Sequence, residues 1–475
     1  MEQSYLERQL VRCRYLITRG AVERLGLRDL SAIKSTEDLF IRECHYVYKK
    51  AQGILTSTTL ELEAEIQRLS GENKKSPVLK RYKYWIQLLE SCYESFLWLG
   101  FSESDLVEIY KGPKYGRLSA QNVESVLAAA RHYNQDPYAF AVPLDFTRFS
   151  CISDLLLLER HPGHHKRTLI EMKEGSVNEA MVTAIESRDP ARVFEFADKY
   201  GQKGIEQAER FFRQVEVFME RKQMVGVRSG TFKRGTGKRI IVESKATPEY
   251  FTSVVEDLCQ KARRGKYAAK ILDGCLMVAA ADMTSEKKYM LAEFDARLLV
   301  FNAFITTEET SKYPPDHFVA ELKKIDLIDW REGLGSIFFI PPLMRDLKSR
   351  SFLDLLFGRL RLFCYLDASG FLELCRNAGL KAGFLSRRLT NRLKSQQGWS
   401  TDEYPTFEGR ALGYVAGKAP MILGSVRLHQ MAFNWMTPSS VASEIAIGVS
   451  QLNERNFDVS DGAEERGFTE QDLEY

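Results

Sequence analysis

The order of apolar patterns along the 475 residues predicts an α/β (α+β) protein. A central mixed sheet flanked by helices is expected, with a helical N-terminal region and a mixed helical C-terminal one. Three observations carry this reading. Residues up to about 115 show apolar positions at helical spacing. Residues 138–173 hold three short apolar runs separated by turn residues. From there to Ala281, helical and strand patterns alternate.

Taken in order, Thr58–Leu69 places Leu60, Leu62, Ile66 and Leu69 at helical intervals, and Tyr84–Leu99 is aromatic enough to bury a wide helix face. Gly112-Pro113 marks a change of pattern. Ser119–Tyr133 reads as a helix with Val123, Val126, Leu127 and Ala130 on one face. Tyr138–Asp145, Cys151–Glu159 and Arg167–Lys173 read as strands, the last two joined at His161-Pro162-Gly163. Asp189-Pro190 can open a helix that Gly201 stops, and Ile205–Glu220 carries a second apolar stripe. Lys238–Glu243 and Ile271–Ala281 are strand candidates on either side of a helix opened at Thr247-Pro248 and closed at Gly265. Farther on, Ile337–Ile340 reads as a strand stopped by Pro341-Pro342, and Ser351–Leu380 as helical. The expected divisions are 1–115, 116–305, 306–455 and an acidic, disordered tail at 456–475.

Composition excludes several classes. At 44% hydrophobic and 28% charged, the chain can bury a core, so it is not disordered as a whole. No run reaches the roughly 18 uncharged apolar residues of a membrane span. Glu2 and Glu7 stand where a secretory signal would be basic and then apolar, so no export and no membrane partner are expected. The eight cysteines are dispersed with no Cys-x-x-Cys pair, which favours a reducing cytoplasm over a disulfide framework or zinc ribbon. The net charge is +3, but residues 456–475 carry −6, leaving +9 on residues 1–455. A basic body suits a polyanionic partner, and equally suits solubility.

The segment that carries chemistry runs from Asp154 through an apolar strand and a basic turn to Thr168-Leu169-Ile170-Glu171-Met172-Lys173. Side chains alternate on a strand, so Glu171 and Lys173 share one face and Ile170 and Met172 the other. A hairpin can bring the Asp154 carboxylate beside Glu171. Two carboxylates with a lysine form a site for a hard cation, Mg2+ or Mn2+, next to a fixed positive charge. Such a cation supplies an activated water, and the lysine can steady the developing anion.

This pattern, Asp154, sixteen intervening residues, then Glu171-x-Lys173 and Gly175, resembles the PD-(D/E)xK nuclease superfamily, in particular its RecB-like branch. Ser153 stands before Asp154 in place of the proline of the motif's name. The resemblance covers about residues 119–281. It implies a restriction-endonuclease-like core, Asp154 and Glu171 as metal ligands, Lys173 as a catalytic residue, and Gln207 as a further one on a following helix, where Phe211 replaces the usual tyrosine. It also implies a helical glutamate before the strands, for which Glu124 is best placed. Glu243-Ser244-Lys245 is a second Glu-x-Lys match without an acid-bearing partner strand at comparable spacing.

Three other features bear on function. Arg221, Lys222, Arg228, Lys233, Arg234, Lys238 and Arg239 form a basic, glycine-interrupted stretch without an acid, suited to a phosphate backbone. His161, His164 and His165 crowd one turn but lack the further ligands of a zinc site. Glu373–Asn391 has the layout of a helix-turn-helix with Arg387, Arg388, Arg392 and Lys394 on or beside its second helix, or equally of a helical hairpin in a core. The expected function is a metal-dependent nuclease hydrolysing phosphodiester bonds in nucleic acid, with DNA the expected substrate and restriction of foreign DNA the analogy. The alternative is a non-catalytic DNA-binding or assembly protein on an inactive nuclease fold. The accessory regions suit a second copy or a partner protein.

Overall fold

The computed structural model describes residues 1–25, 37–72, 76–101, 106, 120–147, 153–161, 164–170, 191–192, 194–202, 206, 209, 230–234, 237–241, 247–265, 267–284, 328–329, 340–391, 406–407, 409–416, 419–423, 427–428, 430–454 and 473–474. The chain divides into two compact units, Met1–Ile241 and Val242–Tyr475. Both mix helix and sheet. The described strands fall into four separate sheets, and every described pairing is antiparallel, where one central mixed sheet was expected.

The first unit begins with α1 (Gln3–Tyr15), a π turn at Leu16–Gly20 and α2 (Ala21–Arg24). The long α3 (Glu37–Glu72), α4 (Pro77–Tyr93) and α5 (Ser95–Trp98) follow. Ser76 caps α4 by accepting from the Val78 N–H, with Pro77 in the first turn where its missing donor costs nothing. After α6 (Ala120–Tyr133) come β1 (Ala139–Pro143), β2 (Leu155–His161) and β3 (His164–Ile170), a sheet in that order. One face packs Ala139, Ala141, Leu155 and Leu157 against Val126 and Ala130 of α6. On the other, Phe140 meets Phe96 edge-on at 5.4 Å and lies near Tyr48 and His45 of α3. β1 and the first half of β2 thus lie between helical layers, which is why Leu155–Leu158 is apolar without alternation. Gly100 fits closely over β2: a Cβ there would stand 2.6 Å from the end of the Leu158 side chain.

The β1 edge is closed by side chains. The Ala141 N–H donates to Asn134 Oδ1, and its carbonyl accepts from Gln52 Nε2, both at 2.9 Å. Those two bonds satisfy the groups another strand would use. A separate hairpin, β4 (Gly230–Arg234) with β5 (Gly237–Ile241), ends the unit.

The second unit opens with α7 (Thr252–Gly265), followed by β6 (Tyr267–Leu272) and β7 (Leu276–Asp282). The strand expected at Ile271–Ala281 is therefore a hairpin. Asp273 and Gly274 have φ of 49° and 69°, the left-handed pair that an Asp-Gly turn favours. Then come β8 (Ile328–Asp329), α8 (Ser349–Leu356), β9 (Leu360–Leu366), α9 (Ala368–Asn377), β10 (Ala382–Leu385), β11 (Thr406–Phe407), β12 (Arg410–Ala416), β13 (Ala419–Ile422), α10 (Pro438–Glu454) and β14 (Leu473–Glu474). One sheet runs β6-β7-β9-β8, and another runs β11-β12-β10-β14 with β13 on β12.

Three expectations change here. Ser351–Leu380 is helix, strand, helix, because Leu360–Leu366 is covered on both faces and shows no strand alternation. Residues 373–391 are not a helix-turn-helix, since β10 stands in a sheet between α9 and the short helix at 387–391. Leu473–Glu474, at the end of the tail expected to be disordered, pairs with Phe384 and Leu385. The strand expected at Ile337–Ile340 lies outside the described residues apart from Ile340.

Buried charge holds the second unit together. Asp354 of α8 accepts from Arg263 of α7 at 2.8 Å and from Arg359 at 2.6 Å. Arg263 also donates to Ser351 Oγ, which donates to Glu256. The fully buried Arg345 donates to the carbonyls of Ile340 and Phe433 and lies over the Trp435 ring at 4.4 Å.

Candidate metal centre

Asp154 is the one expected metal ligand among the described residues, and it precedes β2 directly. The β2–β3 register sets Leu155 opposite Ile170 and His161 opposite His164. The Asp154 N–H also donates to the Ile170 carbonyl, at 3.1 Å. Asp154 therefore sits at the open end of the hairpin, tied by its backbone to the last described residue of β3. The Asp154 carbonyl stays on the β1 side and accepts from the Leu144 N–H at 2.9 Å. Ser153 is buried, and its hydroxyl donates to the Leu155 carbonyl at 3.1 Å. Asp154 itself is half-buried.

The residue after Leu144 is one that the sequence did not single out for the site. Asp145 lies in the 3-10 turn Leu144–Phe146 after β1, one residue beyond the Leu144 N–H that bonds Asp154, and is also half-buried. Its signal was Pro143, which cannot donate to a ladder and ends the strand there.

Glu171, Lys173, Gln207, Arg221, Lys222 and Arg228 lie outside the described residues, as do Glu243 and Lys245. Lys233, Arg234, Lys238 and Arg239 belong to the β4–β5 hairpin, with Lys233 opposite Lys238 and Phe232 opposite Arg239. Glu124 is exposed on α6 between the buried Val123 and Val126. Arg387 and Arg388 are exposed at the short helix after β10, while Arg392 and Lys394 are outside the described residues. His164 and His165 are exposed, and His161 Nε2 lies 3.5 Å from an Asp136 carboxylate oxygen. Among the described residues no group of three or more His, Cys, Asp or Glu could hold a metal ion.

Electrostatics elsewhere in the described residues favours structure over nucleophilic chemistry. Seven cysteines are buried and without disulfides. Burial pushes the thiols of Cys13, Cys259 and Cys375 up to about 12, which keeps them protonated and inert. Burial, with Lys49 and Arg160 nearby, lowers His45 to about 4, so it is neutral at pH 7. No helix among the described residues is long and apolar enough to cross a membrane. Comparison of the chain with protein-family models, curated proteins and solved structures finds no match.

Proposed function

We propose that the protein is a Mg2+- or Mn2+-dependent nuclease acting on DNA, with a restriction-endonuclease-like core in its first unit. The observation that carries the reading is the place of Asp154 at the open end of a hairpin, where its N–H bonds Ile170 and the last described pair, Leu155 with Ile170, is followed in the chain by Glu171. The helices covering both faces of β1 and the first half of β2 also support it. Asp154 and Glu171 would hold the cation, since carboxylate oxygens are the hard donors it prefers. Bound there, the cation supplies a water of lowered pKa and neutralises charge on a phosphate oxygen.

This chain's own residues would do the rest. The backbone of Asp154 is fixed by bonds to Leu144 and to Ile170 of β3, so the point from which its side chain springs is set by the fold. Lys173 would orient the water and counter the charge that develops on the phosphoryl oxygens. Gln207 would hold the substrate at the site, and the basic stretch through Arg239 would follow the sugar-phosphate backbone.

The test is cleavage of duplex DNA with Mg2+, with Mn2+ and with EDTA. The wild-type protein should cut only with the metal. Asp154→Asn and Glu171→Gln should each lose on the order of 10²-fold or more, the scale for one preorganised electrostatic group. Lys173→Ala should lose a similar factor, and Lys245→Ala should lose little. Wild-type cutting by Asp154→Asn would overturn the assignment. A folded protein that binds DNA and cuts none with any divalent metal would be a non-catalytic member of such a fold.

A further inference from the structure

We infer that the β2–β3 arm is a second contact for the phosphate backbone of duplex DNA, placed about six base pairs from the Asp154 end of the same hairpin. The inference rests on the nuclease reading for where the cut falls, but not for the binding itself.

From Arg160 to Ile170 the chain holds Arg160, His161, His164, His165, Lys166 and Arg167 and no acid. His164 to Arg167 are exposed in succession, along an outer strand of the three-stranded sheet. The β1 ladder ends where Ala139 faces Glu159. Beyond it the Arg160 N–H still donates to the Tyr138 carbonyl and its guanidinium to the Leu99 carbonyl. His161 lies against Tyr138 and Asp136, so the exposed side of the arm is His164–Arg167 of β3. The one acid on the arm, Glu159, reaches Lys166 only at 4.0 Å, and a surface pair of that length leaves most of the lysine's charge available. The Arg167 guanidinium lies over the Phe101 ring at 5.4 Å, and the residue stays exposed.

Charged residues on an edge strand also serve to prevent strand-to-strand association, but a single lysine achieves that. Four exposed residues in a row, two of them permanently cationic, exceed that need. Length favours a duplex. Six residue steps from Leu155 to His161 span roughly 20 Å at about 3.3 Å per residue. At about 3.4 Å per base pair that is roughly six base pairs. A stiff duplex lying along the hairpin can touch both ends at once, whereas a flexible single strand gains nothing from a fixed separation.

The experiment is equilibrium binding of the full-length protein to a fluorescent 20-base-pair duplex in EDTA, across a salt series. Lys166→Ala with Arg167→Ala should lower the slope of log affinity against log salt by roughly 0.9 for each phosphate no longer neutralised. Lys166→Arg with Arg167→Lys should restore it, which a merely structural role of Arg167 on Phe101 would not allow. Trimming the duplex until fewer than about six base pairs reach the arm should erase the difference between wild type and the double variant. An unchanged slope in the folded alanine variant would overturn the inference, as would an equal loss on single-stranded DNA. A slope unaltered by substitution together with concentration-dependent self-association would assign the edge to pairing between copies and also overturn it. Because the assay contains no divalent metal, failure of Asp154→Asn to abolish cutting would reject the nuclease reading while leaving the arm tested on its own.

Discussion

The β2–β3 arm of the first unit and the surroundings of Asp354 and Arg345 in the second place their cations in opposite ways. On the β2–β3 arm of the first unit, Lys166 and Arg167 face solvent. In the second unit, Arg345 is fully buried against two carbonyls and a tryptophan ring, and Arg263 and Arg359 converge on Asp354. The difference follows from desolvation. A buried cation is tolerated only where fixed dipoles, rings or a carboxylate replace its water, so it becomes part of the fold. An exposed cation keeps its water, adds little to stability and remains available to an anion. Exposed cations should therefore change binding and not stability, and buried ones the reverse.

The largest effect is expected at Arg345. Arg345→Met fits the space but leaves the Ile340 and Phe433 carbonyls buried without their donor. Hydrogen bonds from a charged group contribute about 1.5–3 kcal/mol each, and a desolvated cation–π contact about 2 kcal/mol. A loss of about 4 kcal/mol is expected in urea unfolding of the full chain. A loss under about 1 kcal/mol would break the comparison, because the buried cation would then be dispensable.

His45 comes next and supplies a pH dependence. It is 3% exposed, and its Nδ1 finds no hydrogen-bond partner among the described residues. Its folded value, about 4, lies below the ordinary 6.5. Above pH 6.5 both folded and unfolded chains hold it neutral, and it contributes no slope. As pH falls from 6.5 toward 4 the unfolded chain takes up the proton first, so stability declines, and below about 4 the loss is complete. At about 1.4 kcal/mol per pH unit the full effect is up to about 3 kcal/mol. Urea midpoints at pH 7 and pH 4.5 should differ more for wild type than for His45→Phe. Equal differences would show that His45 does not carry the acid sensitivity.

Asp354→Asn should cost about 2 kcal/mol, less than Arg345→Met, because the side chains of Arg263 and Arg359 retain 18% and 32% exposure and can recover water. Asp354→Leu should cost more than Asp354→Asn, since the amide still offers an acceptor to one arginine. The reverse order would mean that the pair is worth less than the packing around it.

The residues show why part of this was legible and part was not. The strands at Ala139–Pro143, Leu155–His161 and His164–Ile170 were readable because turn residues bound each apolar run. The hairpin at Asp273-Gly274 had a strong local signal that the unbroken apolar run hid. Leu360–Leu366 could not be told from a helix because a strand covered on both faces loses its period of two. Asp145 was invisible for a different reason. Its neighbourhood with Asp154 depends on the register of β1 against β2, which the apolar runs constrain only through long-range packing.

The smallest stability effect, and the sharpest test of the comparison, belongs to the arm. Lys166→Ala with Arg167→Ala removes two permanent charges from exposed positions of an outer strand. The interactions removed include a 4.0 Å surface pair and a ring contact at 5.4 Å. Pairs of this kind contribute about 0–1 kcal/mol, and alanine is a slightly poorer strand former than the residues it replaces. The urea midpoint should therefore move by no more than about 0.5 kcal/mol in equivalent stability. The same variant should lose DNA affinity most strongly at low salt, where each neutralised phosphate releases a condensed counterion, and should converge with wild type as salt rises. Arg345→Met should show the mirror image, a large loss of stability with an unchanged salt slope in the fraction that remains folded. If the arm variant instead unfolds early, its cations are structural like those of the second unit, and exposure would no longer separate the two kinds of charge.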